Sequence, residues 1–346
     1  MHRSEITLDL AAIRHNTQYV TKIVDGAELW AVLKADAYGH GAIPAAKAVL
    51  EGGAQALCVA TLEEGLTLRT KFPQARVIIL GPISPQTIPV AHDARLECVA
   101  YDSASLKALS NSVRFHIKIN LGLNRYGFED IPTELTREPT GVFGQFSHAH
   151  ADLNITARQL ERFLDICSMV PNVTRHVCNS SAALRIPEAH LDAVRSGSAL
   201  LGLSLIDDQS VRIHLKPALR WVSYIAQVRN LPQGASVGYE ASYRAASPMV
   251  MGVVPVGYGD GFSARLSGTT VLVGEERVRV IGSVSMDAIT VALPKRVPTG
   301  TPVVIVGDDL PFETHVRFAG MANWELCTGL SSDPRRVQRR IINENV

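Results

Sequence analysis

The side chains of this sequence that are best suited to chemistry follow or end short apolar runs. Lys34 ends the run in WAVLK, Lys118 ends FHIK and His148 closes QFSH, while His176 and Arg195 lie in two further runs. If these runs are parallel strands, their carboxyl ends meet at one face and bring the groups together. A lysine buried there has a lowered pKa and can attack an aldehyde and later act as a base. A lysine at a strand end can also simply reach solvent, which is the commoner outcome for an isolated one.

Two segments have the features of an anion site. Tyr38 follows Lys34 by four residues and precedes two glycines, so its hydroxyl and the backbone N–H groups of this loop could hold a phosphate. Asn179 and Ser180 precede AALR, a pattern that predicts a helix N-cap. Because a helix N-terminus also attracts anions, capping and phosphate binding are compatible there.

The tract His148, His150 and Asp152 has an HxHxD spacing that could bind a metal. Histidines two apart on a strand share a face, as metal ligands would. The simpler interpretation is one site or core histidine and one surface histidine. We therefore predict that the protein has no metal site.

The elements that would position these groups alternate along the first 200 residues. Amphipathic segments such as 61–71 and 157–169 separate eight short apolar segments, which we predict to be strands: 30–33, 56–61, 76–80, 96–100, 116–120, 142–147, 174–178 and 193–196. This α/β alternation favours an N-terminal (β/α)8 TIM-type barrel, and a doubly wound sheet is the competing architecture.

Beyond about residue 214 the predicted strands follow one another without helices. They cover 223–231, 249–256, 270–273, 277–281, 288–293 and 302–306, and Gly274-Glu275 predicts a two-residue hairpin turn. We therefore expect a barrel domain over residues 8–213. A mostly β C-terminal domain would follow over residues 214–346, together with residues 1–7.

Composition excludes several classes of function. The net charge of the 346 residues is only +1 and the basic residues are scattered, which argues against a nucleic-acid partner. No apolar run reaches the roughly 18 residues of a membrane span, and MHRSEITLDL lacks the apolar stretch of a signal peptide. Five cysteines without a CxxC pair are expected to be reduced. These features predict a cytoplasmic protein.

Taken together, the motifs resemble those of the alanine racemase family. AVLKADAYGHG is similar to the family's cofactor-lysine motif, and the family's further motifs resemble, in the same order, HVCNSSAALR, AVRSGSALLG, SVGYEASY, VPVGYGDG and SVSMDAI. The resemblance extends from residue 6 to residue 335. It implies a pyridoxal-phosphate-dependent isomerase of fold type III, with a barrel, a β domain and a homodimer that shares its active sites. The implied reaction interconverts L- and D-alanine and supplies D-alanine for peptidoglycan.

The resemblance also implies a role for each matched residue. Lys34 would carry the cofactor and act as one catalytic base, and Tyr239 of the partner subunit would be the base on the opposite face. The residues implied to contact the cofactor are Tyr38, His148, Asn179, Ser180, Arg195, Gly197 and Ser198. Those implied to contact or support the substrate are Arg125, Lys118, His176, Tyr258, Met286 and Asp287.

The chemistry of racemisation agrees with these implied roles. Two bases on opposite faces remove and return the Cα proton without the substrate turning over. Arg195 would face the pyridine nitrogen, and because a guanidinium only donates hydrogen bonds, that nitrogen stays unprotonated. The ring is then a weaker electron sink, which disfavours transamination. Lys118 matches a lysine that is often carbamylated, whose negative charge would orient Arg125.

The sequence departs from the family pattern in three places. The loop that ends at Arg125 reads NLGLNR instead of a string like DTGMGR, and the region of His148 is one residue shorter. Gly329 and Ser331, in CTGLSSDPR, stand where many members have a large aliphatic residue and a tyrosine. These differences leave open a racemase for another or a broader set of amino acids, such as serine.

Three other functions compete with racemisation. A pyridoxal-phosphate-dependent decarboxylase on the same barrel would want an acid in place of Arg195 and a cysteine in place of Tyr239. A metal-dependent hydrolase could use His148, His150, His176 and a carbamylated Lys118, but its histidine pair would precede the lysine. A cofactor carrier without catalysis would lack the β domain.

Overall fold

The computed structural model describes residues 2–109, 113–203, 206 and 214–343. The chain divides into two compact units, one formed by residues 12–216 and the other by residues 1–11 with 217–346. Strand β1, Glu5–Asp9, belongs to the second of these. Within the described ranges, no helix combines the length and the apolar character that crossing a membrane requires.

Eight parallel strands form the centre of the unit of residues 12–216. They are β2 Glu28–Val32, β3 Ala56–Val59, β4 Arg76–Ile79, β5 Cys98–Ala100, β6 Phe115–Lys118, β7 Gly141–Phe143, β8 Thr174–His176 and β9 Ala193–Ser196. Each of the eight predicted barrel strands is therefore confirmed, with ends that differ by a few residues.

The eight strands pair in the order of the sequence. One sheet has the order β4-β3-β2-β9 and the other β5-β6-β7-β8. A parallel bridge from Ile78 to Glu97 joins β4 to the start of β5, and Arg195 N donates to Cys178 O at 3.0 Å between β9 and the end of β8. The strands thus follow one another around a ring. This order confirms the predicted barrel. It excludes the doubly wound sheet, in which the strand order reverses at a switch point.

Helices of this unit alternate with the strands. They cover Leu10–Ile23, Ala42–Glu51, Leu62–Lys71, Ile88–Asp93, Ser103–Leu109, Leu153–Cys167 and Ser180–Ala183. The helix predicted over 157–169 begins earlier, because Asp152 Oδ1 caps it by accepting from the backbone N of Asn154 at 2.8 Å and of Ile155 at 3.0 Å.

The second unit is mostly β, as predicted. Its further strands are β10 Leu219–Tyr224, β11 Gln227–Leu231, β12 Ser236–Val237, β13 Tyr243–Arg244, β14 Met249–Val254, β15 Thr270–Val273, β16 Glu276–Ile281, β17 Ile289–Leu293, β18 Pro302–Val306 and β19 Gln338–Ile342. Nine of the unit's strands form one sheet in the order β11-β14-β17-β16-β15-β18-β10-β1-β19. Helices cover Phe312–Ala319 and Asn323–Thr328.

One predicted strand of this unit is wrong. The segment 223–231 is not continuous but breaks between β10 and β11. Ile225 N donates to Thr301 O at 2.9 Å, whereas Ala226 N donates to Val253 O at 2.8 Å, so the chain changes its pairing partner from the β18 side to β14 at this point. Strands β1 and β19 were not predicted, but the hairpin turn at Gly274-Glu275 is confirmed by the pairing of Val273 with Glu276.

Candidate active site

Lys34 lies two residues after the end of β2, at the carboxyl end of the barrel strands. The next four residues, Ala35–Tyr38, form a left-handed turn with φ values of 52°, 52°, 53° and 52°. Each such non-glycine residue costs roughly 1–2 kcal/mol, so the surroundings must stabilise the turn. Ala35 N donates to Glu64 Oε1 at 2.6 Å, and Ala42 N donates to Asp36 Oδ1 at 2.6 Å. The turn thereby fixes the backbone that carries both Lys34 and Tyr38.

Four cationic side chains lie near one another at this end of the barrel. Burial, followed by the positive charge of Arg125, lowers the pKa of Lys34; Arg195 adds to the shift and Glu64 opposes it. Burial and the charges of Arg125, Arg195 and Lys34 lower the pKa of Lys118 to about 7. The excess of positive charge suits an anionic ligand, and both lysines have an increased fraction of neutral amine.

Tyr38 packs tightly against Gly197. A Cβ atom at position 197 would lie 2.8 Å from Tyr38 Oη and 2.9 Å from Val32 O, so only glycine allows this approach. Gly197 N donates to Ser180 Oγ at 3.0 Å, and Ser180 Oγ lies 3.1 Å from Ser196 Oγ. Hydroxyls and a backbone N–H group are therefore gathered in one polar cradle.

Two short helical turns begin beside this cradle. Asn179 caps the turn Ser180–Ala183 by accepting from Ala182 N at 3.1 Å, which confirms the predicted N-cap. The turn Ser198–Leu201 begins directly after Gly197. Their first backbone N–H groups add to the donors that an anion could use.

Arg195 is buried, and its guanidinium is held in one orientation. Nη1 donates to the backbone oxygen of His176 at 2.6 Å and to His176 Nδ1 at 2.9 Å, while Nη2 donates to Gly144 O at 2.7 Å and Gln145 Oε1 at 3.1 Å. Burial lowers the pKa of Arg195 to about 10, so it stays charged at neutral pH. Burial and the charge of Arg195 lower the pKa of His176 well below its usual value, so this imidazole is neutral.

Arg125 is exposed and follows a loop organised by Asn120. Asn120 Oδ1 accepts from Gly122 N at 3.1 Å and from Asn124 N at 3.0 Å, which closes the loop into an Asx-type turn. Lys118, at the end of β6, places its Nζ 4.4 Å from the ring centroid of Tyr126. The loop therefore returns its residues toward the end of the strand that carries Lys118.

The HxHxD tract does not assemble as a set of metal ligands. His148 and His150 are both exposed, and His148 Nδ1 lies 2.7 Å from Ser147 Oγ. Asp152 acts as the helix cap described above. In the part of the chain that the structure describes, no three His, Cys, Asp or Glu side chains are grouped as a metal ion would require.

Four predicted site residues belong to the unit that contains residues 217–346. Tyr239, Tyr258 and Met286 have large side chains that are exposed by 74%, 49% and 52%. Tyr258 N donates to Ser285 O at 3.0 Å, and a Cβ atom at Gly257 would lie 2.2 Å from the same oxygen, so these two loops contact each other through their backbones.

An ion-pair cluster around a buried carboxylate stabilises these loops. Asp260 is fully buried, and its carboxylate accepts from Gly257 N at 2.8 Å and from the guanidinium groups of Arg3 and Arg336. Arg336 Nη2 also donates to Asp287 Oδ1 at 2.7 Å. Asp287 therefore takes part in the ion pairs that order the loops carrying Tyr258 and Met286.

Three ionisable residues at the barrel end and in its wall were not predicted from the sequence. Glu64 supports the turn after Lys34 and also completes a capping box with Thr61, a pattern readable as T-x-x-E. His116 and Glu97 are buried, with His116 Nε2 and Glu97 Oε2 2.8 Å apart. The sequence feature that could have identified His116 and Glu97 is the presence of an ionisable residue inside an apolar run, FHIK and LECVA respectively.

Comparison with known proteins identifies the same family along the whole chain. Two family models match: "Alanine racemase, N-terminal domain" over residues 8–205 and "Alanine racemase, C-terminal domain" over residues 218–341. Alanine racemase 1 of Bacillus subtilis is 35% identical, with 87% of this chain and 82% of the relative covered. The alanine racemase of Symbiobacterium thermophilum is also 35% identical, with 96% and 95% covered.

Solved structures give the same result. The chain matches the alanine racemase from E. faecalis with a TM-score of 0.91 at 30% identity, covering 99% of this chain and 98% of that one. It matches the biosynthetic alanine racemase from Pseudomonas aeruginosa with a TM-score of 0.91 at 32% identity, covering 99% and 100%.

Proposed function

The chain belongs to the alanine racemase family and is an isomerase, and we propose that it interconverts L- and D-alanine with pyridoxal phosphate as its cofactor. The observation that carries this proposal is the juxtaposition, after β2, of Lys34 with its lowered pKa and of Tyr38 in a polar cradle. An aldehyde cofactor with a phosphate group needs both features.

The residues present fit this cofactor. A phosphate dianion requires N–H and O–H donors, and the cradle supplies the hydroxyls of Tyr38 and Ser180 with the backbone N–H group of Ser198. Gly197 N donates to Ser180 Oγ and would contribute by orienting that hydroxyl. Burial raises the pKa of Tyr38 to about 12, so its hydroxyl keeps its proton and can donate. We propose these residues as the phosphate site, with Asn179 supporting Ser180 and with His148 beside the ring.

Lys34 is proposed as the attachment point of the cofactor and as one of the two bases. When bound, the cofactor supplies an electron-accepting ring that acidifies the Cα–H bond of the amino acid joined to it. Because burial and neighbouring cations lower the pKa of Lys34, a larger fraction of its amine is neutral and able to take the Cα proton on Nζ. The oxygen of Tyr239 would exchange the proton on the opposite face.

Arg195 is proposed to keep the reaction on the path of racemisation. Its guanidinium stays charged and has no acceptor atom. It can therefore donate a hydrogen bond to a ring nitrogen but cannot accept one from a protonated ring nitrogen. Hydrogen bonds to His176, Gly144 and Gln145 hold it in place before any ligand arrives. Proton return to Cα is then favoured over transamination.

Arg125 and Lys118 are proposed to orient the carboxylate of the substrate. At a pKa of about 7, a large fraction of Lys118 is the neutral amine, which can add to carbon dioxide and lose a proton to form a carbamate. That group would carry a negative charge beside the cationic Arg125. Arg125, with its planar fork of donors, suits a carboxylate ligand.

We propose a homodimer in which Tyr239, Tyr258 and Met286 complete the active site of the partner subunit. Their high exposure, on loops whose backbones contact one another, supports this, because large side chains exposed together on a surface mark interaction sites. In this arrangement residues 8–213 would bind the cofactor, and residues 214–346 with 1–7 would supply the loops of the partner's site. Asp287, through Arg336, would hold those loops.

We further propose that the enzyme is cytoplasmic and supplies D-alanine for peptidoglycan. All five cysteines are buried free thiols, which agrees with a reducing compartment.

The proposed function is tested with purified protein saturated with pyridoxal phosphate. The protein should convert L-alanine to D-alanine, which chiral chromatography measures. Borohydride reduction should attach the cofactor permanently to Lys34, and peptide mass mapping locates the modified residue. Lys34→Ala should lose both racemisation and cofactor attachment. The control Lys71→Ala, which replaces an exposed lysine, should keep both. Stable attachment at another lysine, or release of carbon dioxide in place of racemisation, would contradict the proposal.

A further inference from the structure

Four ionisable side chains form a continuous hydrogen-bonded chain from the candidate active site into the barrel wall. Arg195 Nη1 lies 2.9 Å from His176 Nδ1, His176 Nε2 lies 3.0 Å from His116 Nδ1, and His116 Nε2 lies 2.8 Å from Glu97 Oε2. The four residues are exposed by 4%, 0%, 0% and 3%, so solvent does not compete for these bonds.

The chemistry at its two ends gives this chain one direction. A guanidinium can only donate and a carboxylate can only accept. His176 Nδ1 must therefore accept from Arg195, so His176 carries its proton on Nε2 and donates to His116 Nδ1. His116 in turn carries its proton on Nε2 and donates to Glu97. A second proton on either ring would set two donors against each other.

The surroundings fix the members of the chain in place. The ring of His176 stacks on Phe143 with centroids 4.9 Å apart and an interplanar angle of 11°. Arg76 donates to both carboxylate oxygens of Glu97, at 2.9 Å and 3.0 Å, and Arg114 contacts Glu97 from the solvent side at 3.1 Å. Burial opposes the charge of Glu97, but hydrogen bonds from His116 and Arg76 outweigh it and lower the pKa to about 2. Glu97 is therefore an anion at neutral pH.

Arg195 has no carboxylate among its hydrogen-bond partners in the described residues. It donates to His176, Gly144 and Gln145, all of which are neutral. A buried cation is costly without compensating charge. At the far end of the hydrogen-bonded chain Glu97 is already paired with Arg76 and Arg114, so Arg195 depends on neutral acceptors that are correctly oriented. The two imidazole dipoles between Arg195 and Glu97 point the same way.

We propose that Glu97 and His116 are positioning residues for Arg195. The carboxylate orients both histidines so that His176 Nδ1 always accepts from the guanidinium. This inference rests on the proposed function, in which Arg195 faces the ring of the cofactor. Neither Glu97 nor His116 need touch substrate or cofactor for the effect.

The first test measures the histidine tautomers in the full-length wild-type chain, with and without cofactor. Nitrogen-15 NMR distinguishes protonated from bare imidazole nitrogens, and His116→Asn and His176→Asn assign the two signals. At pH 7 both rings should carry the proton on Nε2 only. A proton on Nδ1 of either ring, or on both nitrogens, would overturn the proposal, and the measurement requires no catalytic activity.

The second test compares Glu97→Gln with Arg114→Gln. Glutamine keeps the shape of Glu97 but loses its charge and places an amide donor toward either His116 or the arginines. We expect kcat for alanine racemisation per bound cofactor to fall about tenfold, the effect of one charge-assisted hydrogen bond. KM should stay within about twofold, because the substrate carboxylate is assigned to Arg125. Arg114→Gln removes an ion pair with Glu97 but leaves its carboxylate and His116 bond, so kcat should be unchanged.

Wild-type kcat in Glu97→Gln, or an equal loss in Arg114→Gln, would mean that Glu97 has only a structural role. The two proposals fail separately. A wild-type protein that does not racemise alanine counts against the proposed function, whereas the tautomer measurement needs no activity and decides the hydrogen-bonded chain alone.

Discussion

Replacing Gly197 by alanine tests the proposed phosphate site with a single methyl group. The added Cβ atom would lie 2.8 Å from Tyr38 Oη, 2.9 Å from Tyr38 Cε2 and 2.9 Å from Val32 O. These separations are well inside the roughly 3.5–4.0 Å at which non-bonded atoms attract. The Val32 oxygen belongs to β2 and is held by the sheet, so the Tyr38 ring is the group that must move. We therefore expect Gly197→Ala to displace the Tyr38 hydroxyl from the cradle.

The cost has two parts. Overpacking of this kind lowers the free energy of unfolding by about 1–3 kcal/mol. Losing one hydrogen bond to a charged phosphate costs about 1.5–3 kcal/mol, which raises the Kd for pyridoxal phosphate roughly 10- to 100-fold. Cofactor titration followed by absorbance gives the Kd, and urea unfolding of the cofactor-free protein gives the free energy of unfolding.

Tyr38→Phe is the matched control, because it removes the hydroxyl and adds no atom. It should weaken cofactor binding by a similar factor with little loss of stability. In the double variant, Gly197→Ala should add little further loss of affinity, since the hydroxyl is already absent. The reasoning is refuted if Gly197→Ala binds cofactor within twofold of wild type, or if it weakens binding equally in the presence and absence of the Tyr38 hydroxyl.

Four further predictions follow from the same structure. Tyr239→Phe and Lys34→Ala chains, each inactive, should regain about a quarter of wild-type activity when mixed and refolded, since half the dimers are mixed and each has one intact site; no recovery despite mixed dimers counts against a shared site. Arg195→Glu should slow racemisation and increase pyruvate formed per turnover, because a carboxylate can keep the ring nitrogen protonated; an unchanged ratio of products contradicts this role. Ser331→Tyr should lower kcat/KM for serine relative to alanine, and an unchanged ratio shows that this position does not set the substrate range. The pKa of Lys118 is about 7 in the folded protein and 10.5 for an ordinary lysine, so the unfolded chain binds more protons between these values and stability should rise with pH there. From pH 7 to 9 the free energy of unfolding of cofactor-free wild type should increase by about 1–2 kcal/mol relative to that of Lys118→Met; parallel pH profiles in urea unfolding would contradict the shift.

The sequence by itself determined the features that depend on neighbouring residues. Several barrel strands are short apolar runs buried as a whole, such as ALCV in β3 and CVA in β5, so they are visible without their partners. The lysine after β2, the N-cap at Asn179 and the turn at Gly274-Glu275 are equally local. Alternation of such runs with amphipathic helices was sufficient to favour the barrel, because few topologies bury that pattern, but the strand order in the structure was needed to exclude the doubly wound sheet.

Only the tertiary structure decided which distant groups meet. His116 and His176 are 60 residues apart in sequence and lie on β6 and β8, on either side of β7. The registers of β6 with β7 and of β7 with β8 place their rings in hydrogen-bond contact. The pairing of β1 with β10 and β19 likewise joins segments from opposite ends of the chain, which no local pattern encodes. The left-handed turn after Lys34 contradicts the intrinsic preference of Ala35, Asp36 and Ala37. Such a conformation exists only because contacts made after folding, including the one from Glu64, offset its cost.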